Sequence, residues 1–480
     1  MRRAPQSTAA PDARPLVRLA AGFRSVIQAG LLGAVLSSGC VLFQPTRVDT
    51  GVWLPSVRAD GRVRRASVAL PRGPLTLDRA VAIALANNPD VGAATWQVAA
   101  ARARRRQAWS LHLPTLELGL GYRHHWHEER LVPARGQGID AAFSRDIFAG
   151  DVVLRIPLLA GGRVVSEVAA HELLTQAAKR RLQRTRGELV YNVKSVFFAI
   201  LGERRLITAI AHSRLALSEQ LRVTRALIAA RKAARVDRLN LEVRLAELDH
   251  LRITQRGRLR ILERLLASLL GLGVLPAKRL AVKGTLSAPK GRLDSRRLAR
   301  EALKTRPDLA AQTLELRAQA RRVDTARAGY WPVLSASVSY GARLSGRGKY
   351  DDLGFAGLEL SFPILGWVAT AARVAEERAK LRALQHTRRK LALSVRKEVA
   401  SATLQVGIAM AQVAAAKKAI TAARESLRIT RAKVAAARGT AMDVLDAQAA
   451  LLAAEARYSA ALVGANASLA LLAFTTGAKN

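Results

Sequence analysis

Cysteine occurs once in this sequence, at Cys40, so no disulfide can form within the chain. Aromatic residues are only 4%, which leaves the core to alanine, leucine and valine and suits closely spaced helices. Proline is missing from two long stretches, Leu158 to Leu275 (118 residues) and Ile364 to Asn480 (117 residues). Proline ends or kinks a helix, and both stretches are filled with good helix formers, so each predicts very long helices. Acidic residues are scarce too: 36 against 78 lysines and arginines, a net charge of +42. Such a charge admits an anionic partner. The basic residues are dispersed rather than gathered in a tail, however, so solvated helix faces account for them and no nucleic-acid partner is expected.

What is present begins with an N-terminal address. Arg2, Arg3, Arg14, Arg18 and Arg24 precede an apolar run from Val26 to Leu36, followed by Ser37-Ser38-Gly39-Cys40. A positive segment, a short apolar segment and small residues before a processing site make a secretory signal peptide, here residues 1–39. The apolar run is too short for a spanning helix, which takes ~20 residues. Residues 40–74, rich in proline, glycine and arginine, read as a linker.

The remainder is one unit written twice. Asp237, Leu239 and Leu245 stand in the order of Asp443, Leu445 and Leu451, each 206 residues on, and Gly271 matches Gly477 at that offset. Asn88-Pro89-Asp90 answers Arg306-Pro307-Asp308, offset by 218. The predicted units are 75–275 and 293–480, joined by a linker at 276–292. Each ends in a helical hairpin, 163–275 and 366–476. The second hairpin turns at Arg438-Gly439-Thr440, with a first arm from about Trp367 to Ala437. Val399, Val406, Val413, Ile420, Leu427 and Val434 recur every seven residues, as do Val193, Ile200 and Ile207, then Arg214, Leu221 and Ile228. That period means helices packed side by side.

Between the helices the period changes to two, the signature of a strand with unlike faces. Leu116, Leu118, Leu120 and Tyr122 alternate with Thr115, Glu117, Gly119 and Gly121, and Val152, Leu154 and Ile156 alternate with polar residues before Pro157. In the second unit Leu334, Ala336, Val338 and Tyr340 alternate with serines, and Ala356, Leu358, Leu360 and Phe362 follow. The prediction is a β-hairpin in each unit, 115–157 and 333–363, with strands of about 8–10 residues, the length of a tilted transmembrane strand. Leu116, Leu118, Leu120, Leu334, Val338, Leu358 and Leu360 would face lipid. Four strands are too few to close, since single-chain barrels need at least 8. An open sheet edge cannot stand in hydrocarbon. Closure therefore predicts an oligomer, and three copies would give twelve strands around a polar lumen.

Three stretches now resemble a known family: Leu75-Thr76-Leu77-Asp78 through Asn88-Pro89-Asp90, then Ala328-Gly329-Tyr330-Trp331-Pro332, then Gly439-Thr440 through Asp443-Val444-Leu445-Asp446-Ala447-Gln448. Their order, in two copies, is similar to that of TolC-like outer-membrane factors, the outer membrane efflux proteins, over roughly Leu75 to Gly477. The resemblance implies an α+β membrane protein: a homotrimeric, 12-stranded β-barrel in the outer membrane continued by a periplasmic α-helical barrel. It further implies an exit duct serving a periplasmic adaptor and an inner-membrane pump, in efflux or type I secretion, with no cofactor. The ending Ser-Gly-Cys resembles a lipobox and implies lipidation at Cys40. The hairpin tips would meet the adaptor through Arg231, Lys232, Arg235 and Asp237, and through Arg438, Gly439, Thr440 and Asp443. The first tip departs from the family's glycine turn, carrying Arg231-Lys232-Ala233-Ala234-Arg235 instead.

His124-His125-Trp126-His127-Glu128-Glu129 is the one metal-like cluster, but it follows the first strand and enters the 130–148 loop, so a solvated loop is the simpler reading and no metal site is expected. No nucleophile and base stand together, so no enzyme is expected. Members of the family narrow the tips with acidic residues, whereas arginines dominate here. The tip aperture should therefore not favour cations; a single-channel reversal potential showing cation preference contradicts this.

Overall fold

The computed structural model describes residues 73–133, 142–231, 234–272, 280–288, 291, 293–436 and 438–478. The expectations for the signal peptide, Cys40, Lys232 and Ala437 lie outside these residues. In the first unit α1 (Leu77–Asn87) and α2 (Pro89–Ser110) lead into β1 (Thr115–Arg130) and β2 (Phe143–Ala160), then α3 (Arg163–Ala229) and α4 (Arg235–Leu269). The second repeats the order: α5 (Ser295–Thr305), α6 (Pro307–Arg327), a 3-10 turn, β3 (Val333–Ser345), β4 (Tyr350–Ser361), α7 (Trp367–Ala435) and α8 (Ala441–Thr476). The duplicated α+β architecture is the one the sequence predicts.

Helices α3 and α7 have 67 and 69 residues, each about 100 Å at ~1.5 Å per residue. No globular core spans that length, so they pack along their flanks. On α7 the buried residues Val395, Val399, Ala402, Val406, Ala409 and Val413 follow steps of four and three, and Ile420 and Leu427 continue the line. This is a coiled-coil seam. On α3 Val193, Phe197 and Ile200 open the same seam, with Ile210, Leu217 and Leu221 further along. Of the seven-residue positions named from the sequence, Ile207, Arg214, Ile228 and Val434 are only half-buried.

The two units interlock as one ribbon. Next to the sheet the helix order is α2–α3–α6–α7; in the other half it is α4–α3–α8–α7. Polar bonds mark each seam: Thr175 donates to the Ala101 carbonyl at 3.2 Å between α3 and α2, and Ser459 donates to the Gly202 carbonyl at 3.1 Å between α8 and α3. The strands form one antiparallel sheet in the order β1-β2-β3-β4. The strands have 16, 18, 13 and 12 residues, longer than the expected 8–10. His124 to Arg130 therefore belong to β1 rather than to a loop. The alternating pattern fades there because the register breaks after His124 opposite Asp146, and pairing resumes only at Glu129 opposite Ser144 and Arg130 opposite Phe143.

The duplication also builds one joint twice. α4 and α8 both end near a glycine in the left-handed region, Gly271 (φ 68°) and Gly477 (φ 69°). Side chains rarely adopt that conformation, and a Cβ on Gly271 would lie 2.4 Å from the Asn87 carbonyl oxygen. Each glycine abuts the residues that lead into a helix-opening proline, Gly271 at Asn87 and Gly477 at Arg306. In the first unit the residue before the proline is Asn88, which donates to the Leu269 carbonyl at 3.0 Å and accepts from the Asp90 N–H at 2.8 Å. In the second it is Arg306, the bulkiest of the fully buried side chains. Its guanidinium grips Asp308 with two bonds, 3.1 and 2.6 Å, and Glu398 of α7 at 2.5 Å, and reaches the Thr475 carbonyl at 3.3 Å. Arg184 of α3 stacks on Phe474, 3.7 Å from the ring centre. One buried cation thus ties α6, α7 and α8 together.

Burial pushes the Asp308 and Glu398 carboxyls up as the largest single influence, but hydrogen bonds from Arg306 and the nearby charges of Arg306 and Arg184 together outweigh it and hold both below their ordinary 3.8 and 4.5. With folded-state pKa values depressed, the pair's contribution is complete above those ordinary values and drains as pH falls through the lowered ones. Arg306→Ala leaves the carboxylates without their cation and should cost about 3 kcal/mol, at the low end for a broken buried pair because Glu398 reaches solvent. Hydrogen exchange at residues 300–310 checks both points. Protection should hold from about pH 8 to 5 and drop below about pH 4 in the wild type, and should be low throughout in the variant.

Candidate functional site

Residues paired directly across antiparallel strands point to the same side of a sheet. One side carries Leu116–Leu154–Val338–Ala356 and Leu118–Val152–Tyr340–Gly354 as rows across the four strands. Ala336 opposite Leu358 and Leu334 opposite Leu360 extend it. All four alternating segments therefore contribute to a single apolar face. Most of it is bare: Leu118 is 57% exposed and Leu358 73%. Leu334 is half-buried.

The opposite side carries Thr115–Arg155–Ser337–Gly357, with Glu117, Ser335, Ser339 and Glu359 beside that row. An ion pair joins strands here, Arg343 to Asp151 at 2.8 Å. This side is polar but not wholly so, since Val153, Leu353 and Phe355 also belong to it. Towards the outer end of the sheet the row Tyr122–Phe148–Leu344–Tyr350 continues the first side, with polar side chains beside it. There His124 Nδ1 lies 2.7 Å from Asp146 Oδ1, and the Tyr122 hydroxyl donates to the same oxygen at 2.7 Å. Among the described residues no group of three or more metal-ligating side chains converges.

At the far end of the ribbon the two tips lie side by side. Leu217, Leu221, Leu241 and Leu248 of the first hairpin share one buried cluster with Leu445 of the second. The tips are closed differently. At the second, Thr440 and Asp443 form a reciprocal cap: the Asp443 N–H donates to Thr440 Oγ1 at 3.2 Å, and the Thr440 N–H to Asp443 Oδ2 at 2.8 Å. These bonds hold the Asp443 carboxyl below its ordinary range, the backbone N–H first and the hydroxyl second. The Arg438 N–H returns to the Lys433 carbonyl at 2.9 Å. Gly439 follows, so tightly seated that a Cβ would meet Val434 at 3.2 Å. At the first tip only half the cap exists. Asp237 accepts from the Ala234 N–H at 3.3 Å, while Ala234 offers no side-chain acceptor in return.

The first turn also carries strain. Arg231 takes φ 58°, the one non-glycine residue with positive φ among those described. A left-handed L-residue costs roughly 1–2 kcal/mol. Arg231, Arg235, Arg438, Gly439, Thr440 and Asp443 are exposed and Asp237 is half-buried. The structure thus gathers the described tip residues at one end, about 100 Å of helix from the sheet.

Sequence reading missed a groove just above the tips. A cavity of about 380 Å³ lies between α3, α4 and α8, walled by Leu206, Leu217, Leu248, Leu251, Leu445 and Leu452. Gln255 stands in the line Leu241, Leu248, Gln255, where the seven-residue step calls for an apolar side chain. It is 6% exposed, and its Oε1 has no hydrogen-bond partner. That polar interruption in an apolar stripe was the signal available.

Comparison with known proteins agrees with this geometry. The family model for outer membrane efflux proteins matches residues 80–272 and 298–478, one segment per repeat. No protein of curated function matches the sequence. Among solved structures, the chain is similar to CusC, described as undergoing transmembrane channel formation, with TM-score 0.71, 17% identity, and 86% of this chain and 96% of that one covered. It is similar to VceC, an outer membrane protein of Vibrio cholerae, with TM-score 0.68, 16% identity and coverage of 84% and 96%. The outer membrane channel MtrE of Neisseria gonorrhoeae gives TM-score 0.65, 19% identity and coverage of 84% and 88%.

Proposed function

The chain belongs to the outer membrane efflux protein family, so a channel through the outer membrane is its general role, and we propose the specific form that role takes. Three copies close into a 12-stranded barrel in the outer membrane and a helical tunnel in the periplasm. The tunnel receives cargo from a periplasmic adaptor and an inner-membrane pump, in a tripartite efflux or type I secretion system, and conducts it passively.

One observation carries the proposal. The ribbon has two unfinished edges that run its full length. Along one lie β1, α2 and α4; along the other lie β4 and α7. The strand edges expose backbone donors and acceptors. The helix edges expose apolar side chains: Val236, Val243, Ile253 and Ile261 on α4, and Leu404 and Ile408 on α7. The edges are unlike, so copies must join head to tail, and such joining ends either in a ring or in an open filament. A membrane sheet requires the ring. α7 and α8 each hold a stretch apolar enough by composition to cross a bilayer. Of those stretches 28% and 44% are buried within the single chain, and the apolar face of the sheet also stays uncovered.

Within this form, Leu116, Leu118, Leu120, Leu334, Val338, Leu358 and Leu360 contact lipid, and the Arg343–Asp151 side lines the lumen. The exposed tip residues meet the adaptor, and the apolar groove beside Gln255 offers an adaptor helix a seat. Cys40 would anchor the mature N-terminus in the outer membrane by a lipid.

Arginine on the lipid side tests the face assignment. Leu118→Arg or Leu358→Arg should cost roughly 2–4 kcal/mol per copy near the bilayer midplane and sharply lower the yield of heat-stable oligomer in outer-membrane fractions. Ser337→Arg, on the opposite side, should assemble normally. Normal assembly of both leucine variants, with failure of Ser337→Arg, would reverse the faces.

A further inference from the structure

Some charges along the helices are matched across seams, as Arg214 with Asp249 at 2.9 Å, Arg225 with Glu242 at 3.0 Å and Arg424 with Glu455 at 3.3 Å, and, in the half of the ribbon next to the sheet, Arg105 with Glu172 and Arg181 with Glu315. Other cations in that half have no such partner. Two concave surfaces flank α3 there, one of about 430 Å³ against α2 and one of about 520 Å³ against α6 and α7. Lys179 lines both. Glu172, Gln176, Lys179 and Gln183 stand at helical steps of four, three and four, so they form one ridge of α3. Both concavities therefore open on the same face of the ribbon.

Besides Arg105 and Lys304, six cations line this face: Arg102, Arg106, Lys179, Arg180, Arg317 and Arg388. The first concavity holds one carboxylate, Glu172, which is already taken by Arg105 at 2.5 Å. The second holds none. Among the described residues, none of the six has a carboxylate within ion-pairing distance. Two are nonetheless held in place by neutral neighbours. Arg180 donates to Gln183 Oε1 at 3.1 Å, and Arg388 Nε to Thr313 Oγ1 at 3.0 Å, leaving their other guanidinium donors free. Cations crowded into a concavity repel one another, and low-dielectric walls focus their field outward. Guanidinium forks match the geometry of phosphate and carboxylate. Leu309 and Leu314 give the second concavity an apolar floor for a carbon skeleton.

We propose that this face is a binding site for small anions bearing clustered phosphate or carboxylate groups. It draws Arg102 and Arg106 of the basic run at 102–106 into one surface with α3, α6 and α7. The residues come from a single chain, so the site stands independently of ring closure. Lys179 and Arg317 lie on the two inner helices, away from either open edge.

The test is isothermal titration calorimetry of the full-length protein in detergent, with tripolyphosphate and separately with citrate, in low and in moderate salt. The variant Lys179→Gln/Arg317→Gln is compared with Lys417→Gln/Lys418→Gln, which removes the same charge from exposed positions elsewhere on α7. Wild type and control should bind at low salt, more weakly as salt rises, and the site variant should bind about tenfold more weakly, as loss of charge-assisted bonds predicts. The tighter of the two anions assigns phosphate or carboxylate as the preferred group. The proposal is overturned if the wild type binds neither anion, if the site variant binds like wild type, or if both variants weaken alike. Equal weakening would mean that net charge, not a site, attracts the anion.

Discussion

The backbone of a strand carries a donor and an acceptor at each ordinary residue, and hydrocarbon offers partners for neither. That constraint governs this molecule. β1 has β2 on one side and nothing on the other, and β4 has only β3. The apolar rows Leu116–Leu154–Val338–Ala356 and Leu118–Val152–Tyr340–Gly354 suit the sheet to lipid. Its edges forbid it to stay there alone. A closed ring of several ribbons satisfies the face and the edges together, and a polar inner surface then follows from the strict alternation of strand side chains.

The helices extend the same logic below the membrane. A helix about 100 Å long has no core of its own to cover it, so α3 and α7 take neighbours along the whole flank. α3 is enclosed by α2, α4, α6 and α8, which makes it the spine of the ribbon. α7 is an edge throughout, and its exposed Leu404 and Ile408 are the helical counterpart of the open strand β4. Between the two regimes sits the repeated joint of glycine against a proline-led helix. One copy is tied by the neutral Asn88, the other by the buried Arg306 with Asp308 and Glu398.

Much of this was legible in the residues. Missing proline marked the long helices, and α7 ends at Ala435, two residues before the expected Ala437. The offsets of 206 and 218 pointed to both joints, because Gly271 and Gly477 must keep the left-handed turn that only glycine adopts freely. Alternation found the inner half of each strand. It lost the outer halves, where on β1 Trp126 and the histidines fall in a register break between His124 and Glu129 before pairing resumes. Pairing of β2 with β3, which fuses two hairpins into one sheet, joins residues far apart in the chain and leaves no local trace. The ion network at Arg306 was hidden for a related reason. Its equivalent position holds asparagine, and Glu398 comes from a helix some ninety residues on. At the tips, Arg438-Gly439-Thr440 read as a turn, while the left-handed Arg231 broke the local rule and had to be seen.

The central claim is that one chain supplies a third of a ring. Native mass spectrometry of the processed protein, released from outer membranes in mild detergent, tests it most directly. The account predicts one dominant species at three times the mass of a single chain, dissociating to monomer only when the detergent or the temperature becomes denaturing. A dominant monomer or dimer that keeps its β-sheet signal in the same detergent would contradict it.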